Sequence, residues 1–387
     1  MADKTDTQKT PGVWPNKKTR ILICGVLPPP YFGHSMMYKM LMASGFTEAY
    51  DVIFLNMHFW SYGTHKKVTA LKLVKMGVYL ARYVYLIGRY RPRYVLYNMS
   101  FYKMPFLKDY LFFRLGHLMG CRMIIHDMGQ YVRELYDNGS PFYKKLVKKF
   151  CVTATASLLM GERTKAVYKG FMPAERLIAT SGCVTDFYAR GERPPKAEDR
   201  VEVLYFSFLS RSKGVMTALK AVDRVVKQNP RVYFTFGGPL ESPALRAEID
   251  TFLRDRELTA HVRILGYVDT EEKRTALMRR ADIFIFPTHR DVFGLVLLHA
   301  MAEALPVIAS IEGTIPEIVR DQETGILFPK GDVERLAAAI LKLADDPSLR
   351  RCMGQKGRER YLEYYTPAKY AKRMVEAFEK IETELIA

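Results

Sequence analysis

Residues Pro287 to Phe328 read PTHRDVFGLVLLHAMAEALPVIASIEGTIPEIVRDQETGILF, and an apolar run, Ile283 to Phe286, leads into them. A short apolar run bounded by polar residues predicts a buried strand. The polar turn Thr288 to Val292 then passes into a helix that opens at Gly294. A strand thus delivers a loop to a helix N-terminus, where unpaired N–H groups and the positive end of the helix dipole favour an anion. Gly294 has no side chain to hold a phosphate away from the backbone. Asp291, three residues earlier, can accept hydrogen bonds from hydroxyls on the phosphate's other substituent. This combination suits a sugar diphosphate.

The spacing P-T-x-x-D-x-F-G-L-V-L-L-H-A-M-A, followed by L-P-V-I-A-S, G-T-I-P-E-I-V and T-G-I-L-F, resembles the C-terminal signature of family 4 of the retaining glycosyltransferases, the group 1 glycosyltransferases of GT-B fold. The resemblance implies an α/β protein of two Rossmann-like domains facing each other across a cleft, its C-terminal helix crossing back to the N-terminal domain. It also implies retention of anomeric configuration without a carboxylate nucleophile, and it sets Phe293, Gly294 and Leu295 against the donor. The family pattern has an acidic residue, seven intervening residues and a glutamate; here Asp291 keeps the first place and His299 takes the second. His299 lies four residues after Leu295 and so shares its helix face. Where a glutamate accepts bonds from ribose hydroxyls, a neutral imidazole accepts one and donates one, which weakens or rearranges ribose binding.

A chain of 387 residues with 49% hydrophobic residues has material for two cores. We read a polar tail over 1–19, a first domain over 20–190, a Pro- and charge-rich linker over 191–200, a second domain over 201–365 and a closing helix over 366–387. The tail lacks the apolar core of a secretory signal, and no apolar run is long enough to span a bilayer. Five scattered cysteines, Cys24, Cys121, Cys151, Cys183 and Cys352, form no C-x-x-C pair and read as reduced thiols, which favours the cytoplasm. The net charge of +18 is uneven: residues 1–195 hold 29 Lys and Arg against 12 Asp and Glu, whereas residues 196–387 hold 30 against 29. The first half therefore faces something anionic, either membrane lipid or nucleic acid.

That half opens with a strand, Arg20 to Val26, a proline-stiffened loop to Gly33 and a helix from about Met36, with Ser35 placed to cap it. Where the family loop usually carries two adjacent glycines, Gly33 alone is kept. Further short strands at Asp51 to Leu55, Tyr94 to Tyr97, Met123 to Ile125 and Ala154 to Met160 alternate with helical segments, as in a parallel sheet covered on both faces. His126 ends one strand, where ligands of such sheets bind; the resemblance puts it near the transferred sugar. Lys66 to Lys108 mixes Lys and Arg with aromatic and aliphatic residues and contains no Asp or Glu, and Lys144, Lys145, Lys148 and Lys149 repeat at helical spacing. Such segments suit peripheral contact with an anionic membrane; an apolar core face with a solvated basic face is the plainer alternative. No nucleic-acid fold signature accompanies them, so no nucleic acid is expected.

The second half starts with a strand, Val201 to Phe206, and the loop Ser207 to Val215. By resemblance this loop carries an arginine and, five residues on, a lysine that neutralise the leaving diphosphate. Lys213 matches the lysine, Phe208 stands in the arginine's place, and Arg211 is the nearest cation. No D-x-D or comparable acidic pair is present to hold a metal, so transfer is expected to need none. The loop Gly266 to Val268 borders the nucleobase in this fold, which makes Gly266 and Tyr267 candidates. The expected reaction moves a hexose or N-acetylhexosamine from a UDP-sugar or GDP-sugar, GDP-mannose among them, to a glycan or lipid-linked glycan of cell-surface assembly. No further cofactor is expected. An inactive binding protein on this fold, an epimerase or phosphorylase, and a nucleic-acid binder are the competing readings.

Overall fold

The computed structural model describes residues 18–29, 33–58, 70–129, 131–187 and 200–385. Most of the polar tail, Lys66, Lys67 and the expected linker up to Asp199 lie outside the described residues. The first domain runs β1 (Arg20–Gly25), α1 (Gly33–Met42), α2 (Phe46–Ala49), β2 (Asp51–Asn56), α3 (Ala70–Tyr90), β3 (Tyr94–Asn98), α4 (Lys103–Leu118), β4 (Arg122–Asp127), α5 (Val132–Asp137), α6 (Pro141–Thr153), β5 (Ala156–Leu159) and β6 (Leu177–Ala179). Its sheet has the order β2-β1-β3-β4-β5-β6, and every pairing is parallel. Parallel strands covered on both faces must be apolar on both sides, and β1, β3 and β4 are buried over nearly their whole length. Helix α1 starts three residues earlier than expected, so Ser35 lies inside it, buried, and does not precede it as a cap.

The second domain repeats the plan with β7 (Val201–Phe206), α7 (Val215–Gln228), β8 (Val232–Gly237), α8 (Pro243–Asp255), β9 (Val262–Gly266), α9 (Glu271–Arg280), β10 (Ile283–Phe286), α10 (Leu295–Ala302), β11 (Val307–Ser310), α11 (Ile315–Ile318), β12 (Gly325–Phe328), α12 (Val333–Asp345), α13 (Pro347–Tyr364) and α14 (Pro367–Glu384). The order β12-β11-β10-β7-β8-β9 reverses direction between β7 and β10. At that switch point the loops leaving the two central strands diverge and open a crevice.

Helix α14 leaves the second domain and packs on the first, as expected. Phe378 enters an aromatic cluster with Phe46, Tyr50 and Tyr94, ring centroids 5.7, 5.4 and 5.5 Å away. The Tyr94 hydroxyl donates to Glu382 at 3.2 Å. Arg358 of α13 holds the segment before the linker by two bonds to the Asp186 carboxylate, at 2.8 and 2.7 Å.

Candidate active site in the interdomain cleft

Strands β7 and β10 are neighbours in register, Val203 beside Ile283 and Tyr205 beside Ile285, so the loops that follow them meet. From the first comes Lys213, whose Nζ donates to Asp291 Oδ2 at 2.5 Å and to the carbonyl of Arg290 at 2.9 Å. The other carboxylate oxygen of Asp291 accepts from the N–H groups of Phe293 and Gly294, at 3.1 and 2.8 Å. Asp291 therefore caps the turn into α10 and neutralises Lys213 at once. Gly294 caps the helix in the left-handed conformation, φ +74°. The amides of Leu295 and Val296, next in the first turn, have no acceptor among the described residues. Gly214, also at φ +74°, begins α7 so close to the β10 loop that a Cβ there would lie 1.7 Å from the carbonyl oxygen of Pro287. Two helix N-termini and one cation thus converge on a single point.

Beside that point lies a cavity of about 270 Å³ between the domains. Gly33 and Leu295 meet across it: a Cβ on Gly33 would come within 2.9 Å of Leu295 Cδ1. Phe208 and Tyr267 also line it, Tyr267 67% exposed, and Gly266 ends β9 at φ +72° to set the turn that presents Tyr267. His299 also lines the cavity. Burial, helped by the nearby Arg274 cation, lowers its pKa to about 4. The imidazole is therefore neutral near pH 7, with one donor and one acceptor to offer.

Residues 190–360 match the family described as glycosyl transferases group 1. This part of the chain is similar to that family. Over 174 residues, 45% of this chain, it is 34% identical to glycogen synthase of Mycobacterium tuberculosis, of which the match covers 40%. The chain thus spans less than half the length of that curated relative. Across both domains it superposes on sucrose-phosphate synthase from Thermosynechococcus elongatus with a TM-score of 0.74, covering 94% of this chain and 99% of that one at 18% identity. The Anabaena protein HepE in complex with UDP gives 0.71 at 13% identity, covering 93% and all of the two chains. At such identities the likeness is one of fold, and the fold is GT-B.

Among the glycosyltransferase residues expected from sequence, the structure brings Asp291, Lys213, Phe293, Gly294 and Leu295 to one place, with Gly33, Tyr267 and His299 on the adjoining cavity. Arg211 goes elsewhere. Its guanidinium pairs with Glu248 of α8, its amide donates to Glu241 at 3.2 Å, and it does not line the cavity. Two residues from Lys213 in a turn, it points away, toward Glu248 of α8. His126 is fully buried in β4 behind α1 and does not line the cavity. Its Nδ1 shares a 2.9 Å bond with the Tyr38 hydroxyl, and its Nε2 has no partner. Burial, with His34 nearby, lowers its pKa to about 3.

Sequence reading missed the contacts that join the domains. The Arg290 guanidinium pairs with the Glu134 carboxylate of α5 and lies 4.6 Å from the centre of the Tyr131 ring. Glu317 accepts from the amides of Glu162 and Arg163 at 2.9 and 2.6 Å, and Arg163 Nε donates to the Gly313 carbonyl at 3.0 Å. Partners about 150 residues apart leave no local pattern to find. The described residues contain no group of three His, Cys, Asp or Glu able to hold a metal. The four buried cysteines and exposed Cys352 are all unpaired.

Proposed function

We propose that the protein is a retaining glycosyltransferase that moves a hexose or N-acetylhexosamine from a UDP- or GDP-sugar to a glycan or lipid-linked glycan acceptor, without a metal. The observation that carries this reading is the Lys213–Asp291 pair at the N-terminus of α10, next to a cavity open to both domains. An incoming diphosphate competes with Asp291 for Lys213 and takes the amides of Leu295 and Val296. Asp291, released from the cation, turns its free oxygen to the sugar hydroxyls. The nucleobase stacks near Tyr267, and His299 meets the ribose. In the transfer itself the bond from the anomeric carbon to the phosphate oxygen breaks, the acceptor oxygen bonds to that carbon on the same face, and the departing phosphate takes the acceptor's proton. Lys213 and the helix dipole stabilise the charge that develops on the leaving group.

Release of UDP or GDP from its sugar conjugates, followed with and without a chelator, tests this. Turnover that survives chelation and gives a product of unchanged anomeric configuration is the expected result. Phe208 and His299, where the family has Arg and Glu, favour a second reading, a binding protein that has lost the reaction. Absence of turnover with retained nucleotide binding would select it.

A further inference from the structure

Helices α3, α4 and α6 lie side by side on one face of the first sheet. Tyr83, Leu86 and Ile87 of α3, Phe106, Phe112 and Phe113 of α4, and Val147, Phe150 and Cys151 of α6 share one core beneath them; α1, α2 and α14 cover the other face. Together the three helices carry 11 Lys and Arg residues and a single carboxylate, Asp109. Asp109 is 1% exposed and accepts from the Tyr97 hydroxyl and the Ser100 amide at 2.9 and 3.0 Å. None of the three presents a negative charge outward. Helix α5, which packs on α6, adds Glu134 and Asp137, and Glu134 is paired with Arg290.

Amid these cations α3 exposes an apolar stripe. Val74, Val78 and Tyr85 recur at the spacing of one helix face, are 63%, 62% and 62% exposed, and have Leu73 beside them at 54%. Met104 of α4 and Phe142 of α6 are exposed to a similar degree. Each helix runs antiparallel to the strands, so its first turn stands at the carboxyl ends of the strands, the edge that faces the cleft. Leu73, Val74, Met104 and Phe142 all lie within the first turns. Tyr102, the cap of α4, packs its ring 5.1 Å from Tyr131, the ring under Arg290, which puts that end of the helices at the cleft mouth.

We infer that this three-helix face docks on an anionic bilayer, with α3 lying in the interface and the cleft mouth turned toward the lipid. Charge decides the occupant. A second copy of the chain would bring the same cations against one another with no outward carboxylate to balance them, whereas a lipid surface offers negative headgroups to Lys75, Arg82 and the α6 lysines and an apolar layer to Val74, Val78 and Tyr85. A lipid-linked acceptor would then reach the cavity without leaving the membrane. That last step rests on the transferase reading; the docking face does not.

Flotation with phosphatidylcholine vesicles, with and without phosphatidylglycerol, tests the inference when UDP and GDP binding are measured on the same proteins. Wild-type protein is expected to float with the anionic vesicles at low salt and to lose most of that association at high salt. Lys144→Glu, Lys145→Glu, Lys148→Glu and Lys149→Glu combined should cut partitioning more than about 50-fold, and Val74→Glu with Val78→Glu should cut it about tenfold or more. Nucleotide affinity should not change in either variant, because none of the substituted residues lines the cavity. Failure to float at low salt, partitioning indifferent to both variants, or a dimer in solution that Val78→Glu dissolves would each overturn the docking face. Flotation without any nucleotide binding would instead overturn the transferase and leave the face standing.

Discussion

Lys213 Nζ lies 2.5 Å from Asp291 Oδ2, although 78 residues separate them, because β7 and β10 are adjacent at the switch point of the second sheet. The pair has opposite consequences for a bound diphosphate: the lysine attracts it and the carboxylate repels it. Asp291→Asn keeps an oxygen for the amides of Phe293 and Gly294 and removes the negative charge. UDP or GDP affinity, by calorimetry, should rise about fivefold to twentyfold, while turnover falls because the sugar hydroxyls lose their carboxylate.

Gly214→Ala should destabilise the second domain by more than about 2 kcal/mol, since alanine resists the left-handed conformation and its Cβ would collide with the Pro287 carbonyl. Gly88→Ala is the control. Space around Gly88 in α3 is open, and the change should be neutral or stabilise by up to about 1 kcal/mol. Chemical denaturation of both variants separates the two effects.

Burial holds the pKa of His126 down at about 3 and that of His299 at about 4, against an ordinary 6.5. Below pH 6.5 the unfolded chain takes up protons at both positions that the folded chain refuses, so stability falls as pH drops from 6.5 through about 4. His126→Asn, which does not titrate, should flatten that slope. An unaltered slope in thermal midpoints would mean that His126 protonates freely in the folded protein.

Arg290 and Glu134 are each about half exposed, 49% and 51%, so their pairing contributes less than about 1 kcal/mol to stability. Its effect should be on geometry. Arg290→Glu is expected to leave the melting temperature nearly unchanged and to raise the radius of gyration in solution scattering as the cleft opens. Adding Glu134→Arg should restore the compact value.

The strand, the glycine and the helix at the heart of the site were legible because they are local: an apolar run, a polar turn and a helix face follow one another along the chain. The closing helix α14 was legible in its own residues, but its crossing back to the first domain was foreseen only through the family resemblance. What sequence order could not give was direction. Arg211 and Lys213 stand two residues apart in one turn, yet only Lys213 faces Asp291, since the outcome depends on where α8 places Glu248. The burial of His126 behind Tyr38 depends on how α1 packs over β4. Likewise the Arg290–Glu134 and Glu317–Arg163 contacts arise only when two domains meet. The acid-free stretch from Lys66 to Lys108 was visible, but that three separate helices assemble it into one face was not.

Calorimetric titration of UDP and GDP into wild-type protein and Lys213→Ala tests the central claim most directly. If the N-terminus of α10 and Lys213 form the diphosphate site, one of the two nucleotides binds the wild-type protein, and Lys213→Ala weakens that binding about tenfold to a hundredfold, the loss of one charge-assisted bond to phosphate. Equal affinity in the two proteins would contradict the claim and place the diphosphate somewhere else.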